Sequence, residues 1–207
     1  MFALPYVGAS LSLSPSSSHG RTYRKEVVMT PEQRQLIYDL VITPFHNPRQ
    51  VSLQDFALRF PSALDEGRLA LSLLEEVTRA QNSTDLQATL IVGAAFGYTS
   101  AHVALLCRLL RDSWHRSHEE IVATLQSLKD PRAVEVLYDA SLVPHAYLGR
   151  DDFYILVRRC TWALADIGTP DALGKLQLLS ASENPVIAGY AQERIDRWHR
   201  ERHRKGV

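Results

Sequence analysis

The chain has 207 residues, of which 45% are hydrophobic and 22% are charged, and its 23 lysines and arginines balance its 23 aspartates and glutamates. This composition is that of a globular protein with a sizeable core. The balanced charge argues against a chain built mainly to bind nucleic acid or an acidic membrane surface, and no apolar run reaches the roughly 18 residues of a membrane helix. Cys107 and Cys160 lie within apolar helical patterns, so we expect two buried free thiols and a cytoplasmic protein.

Residues 1–29 are predicted to be a disordered leader. Their second half is rich in serine and polar residues, so it buries too little apolar surface to offset the entropy of ordering. The first half is mildly apolar, but Pro5 and Gly8 interrupt it and no positive charge precedes it, which disfavours a secretory signal. Met1 and Met29 both stay open as the start of the working protein.

The folded part is expected to be one domain over residues 30–207, and its first helix has a clear start. Thr30 supplies an N-cap hydroxyl, Pro31 fits the first helical position, and Gln33 completes a capping box. Apolar residues then recur at helical spacing as far as Pro44.

Five further helix starts follow in chain order, each marked by a side chain that can cap a helix. The helix opened by Ser52 is predicted to stop before Pro61, and the one opened by Ser62 to run through the leucines that follow it. No segment alternates apolar and polar residues as a strand does, so an all-α protein is predicted. The five predicted caps are Ser52, Ser62, Asn82, Thr99 and Ser117.

The strongest signal is a phrase that occurs twice, 39 residues apart. Leu125–Val134 recurs as Leu164–Leu173, and each copy ends one amphipathic stretch with Leu-x-x-Leu/Ile and opens the next with a proline turn. A shift of 31 residues aligns a third first helix, with Ile187 and Trp198 at apolar positions. Self-similarity at this period predicts stacked helical hairpins, an α-solenoid that ends on a single helix. The eight extra residues between the first two units are assigned to an inserted loop, Leu142–Asp152.

Residues 117–198 resemble HEAT-like repeats, particularly the short variety also found in phycobilin lyases. In that family a first helix ends on Leu-x-x-Leu/Ile-Gly, a proline turn follows, and Ala-Val/Leu starts the second helix; Ala163–Leu173 fits this pattern closely. Leu125–Val134 fits it with Lys129 in place of the glycine. The resemblance covers 82 of the 207 residues. Residues 30–116 share helix length but not the motif, so they are either degenerate repeats or a separate capping bundle.

The sequence favours a chain without catalysis, metal or cofactor. HEAT-like iron hydroxylases bind two irons through His-Glu pairs in successive repeats, but His118-Glu119 has no counterpart here, because Ile155–Arg158 holds neither residue type. Cys107 is flanked by leucines, as an inert core thiol is. Gly93–Gly97 lacks the ending of a phosphate loop, so its small residues are expected to allow close helix packing.

Two clusters of polar residues are interpreted as solvated side chains. His115 with His118, and His199 with His203, have spacings that can supply two metal ligands, but arginines surround each pair and disfavour a cation. The basic run Arg194–Lys205 is interspersed with acidic residues at a chain end, which favours an exposed helix over a nucleic-acid site.

The remaining candidates form a surface for another protein, of unknown identity. In HEAT-like stacks the second helices line a concave side where partners bind, so the resemblance implies a binding surface on the second helices and the inserted loop. The sequence therefore predicts a non-catalytic protein-binding module, by analogy a bacterial immunity or adaptor protein. A HEAT-like enzyme or lyase and a nucleic-acid binder are the alternatives. The predicted partner-binding residues are Arg132, Glu135, Tyr138, Asp139, Tyr147, Arg150, Asp151, Asp152, Tyr154, Asp171, Lys175 and Gln177.

Overall fold

The structure is a computed structural model that describes residues 29–40 and 51–205, with side chains as far as Trp198. Within these ranges the fold is all-helical, as predicted, and contains no strand. No helix in the described part has both the length and the apolar character needed to cross a membrane. The predicted leader, apart from Met29, lies outside the described residues. The prediction that the first helix continues to Pro44 is wrong, because the helix ends at Tyr38 and residues 39–40 form a turn. The helices are α1 Pro31–Tyr38, α2 Leu53–Arg59, α3 Arg68–Ala80, α4 Ser83–Phe96, α5 Val103–Arg111, α6 His118–Leu128, α7 Val134–Ala140, α8 Arg150–Ile167, α9 Pro170–Ser180 and α10 Pro185–Lys205.

Three of the predicted helix caps are confirmed by hydrogen bonds. The side-chain oxygens of Thr30, Ser52 and Asn82 each accept the backbone N–H three residues further on, at 3.2, 3.0 and 3.2 Å. Ser117 occupies the N-cap position of α6, but its side chain makes no capping hydrogen bond. Thr99 precedes a short 3-10 turn that leads into α5.

The predicted helix start at Ser62 is wrong. The chain forms a short 3-10 turn there, and the backbone then enters the left-handed region at Glu66 (φ 44°) and Gly67 (φ 79°), so that α3 begins only at Arg68. Gly67 is required because a Cβ at this position would lie 2.7 Å from the carbonyl oxygen of Gly97. A contact between residues 30 positions apart therefore decides where α3 starts.

From α3 onward the helices pack in two layers. The even-numbered helices contact one another in order from α4 to α10, and the odd-numbered helices do so from α3 to α9. In α6 and α8, the first helices of the two repeat copies, Ile121 and Leu125 match Cys160 and Leu164, and all four are fully buried. Matching positions of the repeat therefore play matching roles in the core.

The two copies of the repeated phrase also end their first helices alike. The residue after α6 is Lys129 (φ 51°) and the residue after α8 is Gly168 (φ 70°), so both take the left-handed conformation. Asp130 and Thr169 follow, and their side chains accept backbone N–H groups at 2.9 and 3.2 Å to start the next turn. The left-handed conformation costs a non-glycine residue about 1–2 kcal/mol, so Lys129 is the strained member of the pair.

Buried apolar side chains form two clusters that α3 and α4 connect. The larger cluster extends from α3 to α10, and the smaller one packs α1 and α2 against α3 and α4. Leu74 and Leu86 belong to the larger cluster, whereas Ala70 and Val92 belong to the smaller one. The same two helices thus contribute to both cores.

Candidate functional site

The side chains of α5, α7 and α9 around two ion pairs, together with the exposed start of the loop after α7, form a surface that we call the odd-helix face. Arg111 of α5 donates to Asp139 of α7 at 3.1 Å, and Lys175 of α9 pairs with Glu135 of α7 at 2.6 Å. The Lys175 Nζ also lies 4.6 Å from the centre of the Tyr138 ring, within the range of a cation–π contact. Four predicted partner-binding residues, Glu135, Tyr138, Asp139 and Lys175, therefore lie together on this face.

Charges on and beside this face are paired with neighbouring groups. The hydrogen bond to Glu135 is the main reason why the pKa of Lys175 is raised above its usual value. Arg132, at the turn before α7, pairs with Asp130 at 2.6 Å and donates to the Ser100 carbonyl oxygen at 2.7 Å. The bond from Arg132 lowers the pKa of Asp130. These contacts hold the side chains in defined positions.

An apolar cleft of about 320 Å³ opens between α5 and α7 at the edge of the odd-helix face. The Arg111–Asp139 ion pair lines it on the polar side. Leu142 and Val143, in the loop after α7, are 42% and 64% exposed. Exposed apolar side chains beside an apolar cleft are typical of a surface that binds another molecule. The cleft is also lined by Leu110, Val136, Ala140 and His145.

Helix α9 extends the face with another exposed apolar side chain. Leu178 is 57% exposed and lies one helical turn after Lys175, on the same side of the helix. Asp171 is exposed one turn before Lys175 and shares that side. Gln177 is exposed as well, but its two-residue offset from Lys175 directs it away from the face. Asp171 therefore joins the predicted surface and Gln177 does not.

Four other predicted residues lie at the start of α8. Arg150, Asp151 and Asp152 form its first turn, so the inserted loop is shorter than predicted and consists of residues 141–149. The Tyr154 hydroxyl accepts a hydrogen bond from Asn184 at 3.0 Å, which links α8 to the turn before α10. Because α8 belongs to the even-numbered layer, these four residues are not added to the odd-helix face.

His115 and His118, at the start of α6, are buried, so the prediction of solvated histidines is wrong for this pair. They are 1% and 0% exposed. The Nδ1 of His118 lies 2.8 Å from the hydroxyl of the half-buried Tyr147, and its Nε2 lies 2.9 Å from the Asp112 carbonyl oxygen. The His145 ring centre lies 3.5 Å from that of His118. Tyr147 therefore anchors the inserted loop to α6.

Burial keeps the histidines of this cluster neutral. It is the main cause that lowers the pKa of His118 to about 3, and the charges of His145 and His115 act in the same direction. The pKa values of His115 and His145 are also lowered, again chiefly by burial. Among the described residues, no three His, Cys, Asp or Glu side chains are arranged to hold a metal ion.

The other residues considered for catalysis make structural contacts. Glu119, the second member of the His-Glu pair, accepts a hydrogen bond from Arg159 of α8 at 2.9 Å. Cys107 and Cys160 are buried free thiols, as predicted. Burial raises the pKa of Cys160 to about 12 and also raises that of Cys107, so neither forms an appreciable fraction of the reactive thiolate at neutral pH.

The basic C-terminal run begins with a buried residue. Arg194 is 4% exposed, and its guanidinium carbon lies 5.1 Å from the centre of the Trp162 ring on α8. Glu193 accepts from both Arg194 and Arg197, at 2.7 and 3.0 Å. This part of the run holds α10 against α8. The side chains from residue 199 onward, which include the second histidine pair, lie outside the described part of the chain.

A larger hollow of about 640 Å³ lies between α4 and α6, and no sequence signal pointed to it. Gly93 and Tyr98 shape one end of it. A Cβ at Gly93 would come within 2.1 Å of the Tyr98 ring, whose hydroxyl donates to the Leu90 carbonyl oxygen at 2.9 Å. The small residues of Gly93–Gly97 were expected to allow close packing of helices, whereas Gly93 admits an aromatic ring.

Comparisons of the chain with protein-family models, with curated proteins and with solved structures found no match. The resemblance of residues 117–198 to HEAT-like repeats therefore rests on the repeated phrase itself.

Proposed function

We propose that this chain is a non-catalytic protein-binding module that holds a protein partner on the odd-helix face. The observation that carries the proposal is the apolar cleft between α5 and α7, with Leu142 and Val143 exposed beside it. Leu178 on α9 adds a further apolar contact point. An apolar centre surrounded by polar residues is the usual composition of a protein interface.

The polar residues around this centre support binding of one particular partner. Tyr138 is half-buried and in contact with the Lys175 ammonium group, so it offers an aromatic surface whose position is already set. Little conformational entropy is lost when such side chains bind. The paired charges, Arg111 with Asp139 and Glu135 with Lys175, orient a partner and select for its charge pattern.

The architecture that we propose is a HEAT-like solenoid. In this proposal α6 with α7 and α8 with α9 are two repeat units, and α10 is the first helix of a third. The contacts between α6 and α8, α8 and α10, and α7 and α9 support it. By analogy with small stand-alone HEAT-like proteins, the proposed role is that of a cytoplasmic immunity or adaptor protein, with a toxin as one specific partner.

Capture of the partner by wild-type and variant chains tests the proposal. The tagged full-length protein is purified from its own cells after mild cross-linking, and stoichiometric partners are identified by mass spectrometry. We expect the double variant L142D/V143D and the single variant L178D to lose the partner. A charge on these exposed positions disturbs an apolar contact with little effect on the fold.

The matched control is L58D, since Leu58 is 81% exposed on α2, outside the odd-helix face. This variant is expected to retain the partner. Retention by all three variants would place binding on another surface. Absence of a stoichiometric partner for the wild-type chain, with cross-linking, would contradict the protein-binding function itself.

A further inference from the structure

The bond to Asp112 fixes the tautomer of the neutral His118 ring. A carbonyl oxygen only accepts, so the contact of 2.9 Å to the Asp112 carbonyl requires a hydrogen on Nε2. Nδ1 then carries a lone pair 2.8 Å from the Tyr147 hydroxyl, whose single hydrogen is shared between Nδ1 and the Arg116 carbonyl oxygen 3.1 Å away. This contact joins α6 to the loop of residues 141–149.

His115 is fixed in the same way beneath it. Its Nε2 donates to the Leu109 carbonyl oxygen at 2.9 Å, and its Nδ1 accepts the Ser117 N–H at 3.2 Å. Its ring stacks on that of His118 with 4.4 Å between the centres. With both nitrogens bound to backbone groups, His115 forms a rigid neighbour for His118.

His145 completes the cluster from the loop side. Its ring centre lies 3.5 Å from that of His118, and the side chain also lines the cleft between α5 and α7. The loop is therefore held by a stack of three neighbouring imidazoles, of which His145 is tilted against His118, together with Tyr147, whose hydroxyl donates to the Arg116 carbonyl oxygen at 3.1 Å. A positive charge on His118 would lie against the ring of His115, which is buried with it.

The charged groups around the stack give a proton little compensation. His118 is the first residue of α6, where the helix dipole disfavours a cation. Arg111 and Asp139, which line the cleft with His145, neutralise each other. Of the other charged groups around the stack, Asp112 accepts a hydrogen bond from Trp114 at 3.1 Å and Glu119 accepts one from Arg159. Glu120 is exposed to solvent. The Arg116 guanidinium lies 5.7 Å from the centre of the Tyr147 ring.

We propose that the loop of residues 141–149 is an acid-sensitive latch, closed on α6 while His118 and His145 are neutral and released when acid protonates them. Release returns both imidazoles to water, where the pKa of histidine is about 6.5, whereas burial lowers both values in the closed form. The released form therefore binds more protons below about pH 6.5. Each additional proton bound by the released form raises the equilibrium constant for release by up to about tenfold for each unit by which the pH falls.

Release of the latch would alter the odd-helix face, because Leu142 and Val143 belong to the same loop. This consequence for binding rests on the proposed function, whereas the latch itself does not. The test is therefore carried out on the isolated full-length protein, without a partner. If the loop does not open in acid, the protein-binding proposal is unaffected. If no partner is found, the proposal of the acid-sensitive loop is equally unaffected.

Amide NMR signals of Ala146, Tyr147 and Leu148 report on the latch as the pH is lowered from about 7.5 to about 4.5. Far-UV circular dichroism of the same samples reports on the helices. We expect the three loop amides to move progressively toward random-coil positions as the pH falls below about 6.5, over a range where the helical signal is unchanged. Loop signals that keep their folded positions until the whole protein unfolds would overturn the proposal.

Two variants separate protonation from simple loosening. H145Q removes one titrating group. The equilibrium constant for opening is therefore expected to rise less steeply as the pH falls, by a factor of up to about ten for each pH unit. Y147F removes the hydroxyl bond and is expected to raise the open population at every pH with the dependence on pH retained. An H145Q variant whose loop opens with the pH dependence of the wild-type chain would also overturn the proposal.

Discussion

Arg34 of α1 binds the fully buried carboxylate of Asp85 on α4, with its Nη2 and Nε 2.6 and 2.9 Å from the same oxygen. The other carboxylate oxygen accepts from the Asn82 side chain at 2.7 Å and from the Met29 amide at 3.3 Å. These bonds fix α1 to α4. A buried carboxylate needs such donors, because removing one charged partner leaves most of its desolvation cost unbalanced.

The variant R34M is expected to lower the free energy of unfolding by about 3–5 kcal/mol. Methionine keeps much of the apolar stem but removes the guanidinium from Asp85. Urea unfolding followed by circular dichroism measures the loss. The matched control is R111M, whose ion pair with Asp139 is about half exposed and should cost less than about 1 kcal/mol. Equal losses in the two variants would show that burial of the Asp85 carboxylate does not set the cost.

Substitutions at the two equivalent helix ends are expected to have opposite effects. K129G relieves a left-handed conformation and should raise the free energy of unfolding by about 1 kcal/mol. G168A imposes that strain and should lower it by about the same amount, since the nearest atom to a Cβ there is 3.7 Å away and no clash contributes. Thermal and urea unfolding of both variants check the signs. Two changes of the same sign would refute the structural equivalence of Lys129 and Gly168.

The variant G93A is expected to destabilise the protein by about 1–3 kcal/mol. The added methyl group would meet the Tyr98 ring at 2.1 Å, so the ring must move and its bond to the Leu90 carbonyl must lengthen. A double-mutant cycle tests this cause. In the Y98A background G93A should leave the free energy of unfolding almost unchanged. An equally large loss in that background would indicate that the methyl group clashes with the helix itself.

Acid is expected to destabilise the protein through the histidine cluster. The pKa of His118 is about 3 in the folded protein and about 6.5 in the unfolded chain, so the unfolded chain binds more protons between these values. The stabilisation is therefore complete above about pH 6.5 and decreases as the pH falls. Urea unfolding should give a free energy about 1 kcal/mol smaller at about pH 5.5 than at about pH 7.5. An unchanged or larger value at the lower pH would contradict the burial of neutral His118.

Local sequence patterns predicted those parts of the fold that local interactions determine. The caps at Thr30, Ser52 and Asn82 act on backbone groups three residues away, so they were readable from the chain. The buried positions of α6 and α8 followed from helical spacing. The start of α3 was predicted incorrectly, because it depends on a contact between Gly67 and Gly97 that no local pattern records.

The candidate surface was predicted only in part, because some of its features depend on contacts between residues far apart in the sequence. Glu135, Tyr138, Asp139 and Lys175 were selected as polar residues of second helices, and the structure brings these four together. Tyr147 was predicted as a partner-binding residue, and the sequence did not indicate that its place is set by contact with His118, 29 residues away. The apolar cleft and the exposure of Leu142, Val143 and Leu178 depend on how α5, α7 and α9 pack, so the sequence did not indicate them.

Site-specific photo-cross-linking in the cells of origin records where a partner touches the chain, so it is the sharpest test of binding through the odd-helix face. A photoreactive amino acid is placed at Leu142, at Leu178, or at Leu58 as the exposed control on α2. We predict an adduct of one defined mass, with the same protein attached, at positions 142 and 178 and none at position 58. Adducts at position 58 alone, or equal adducts at all three positions, would contradict binding through the odd-helix face.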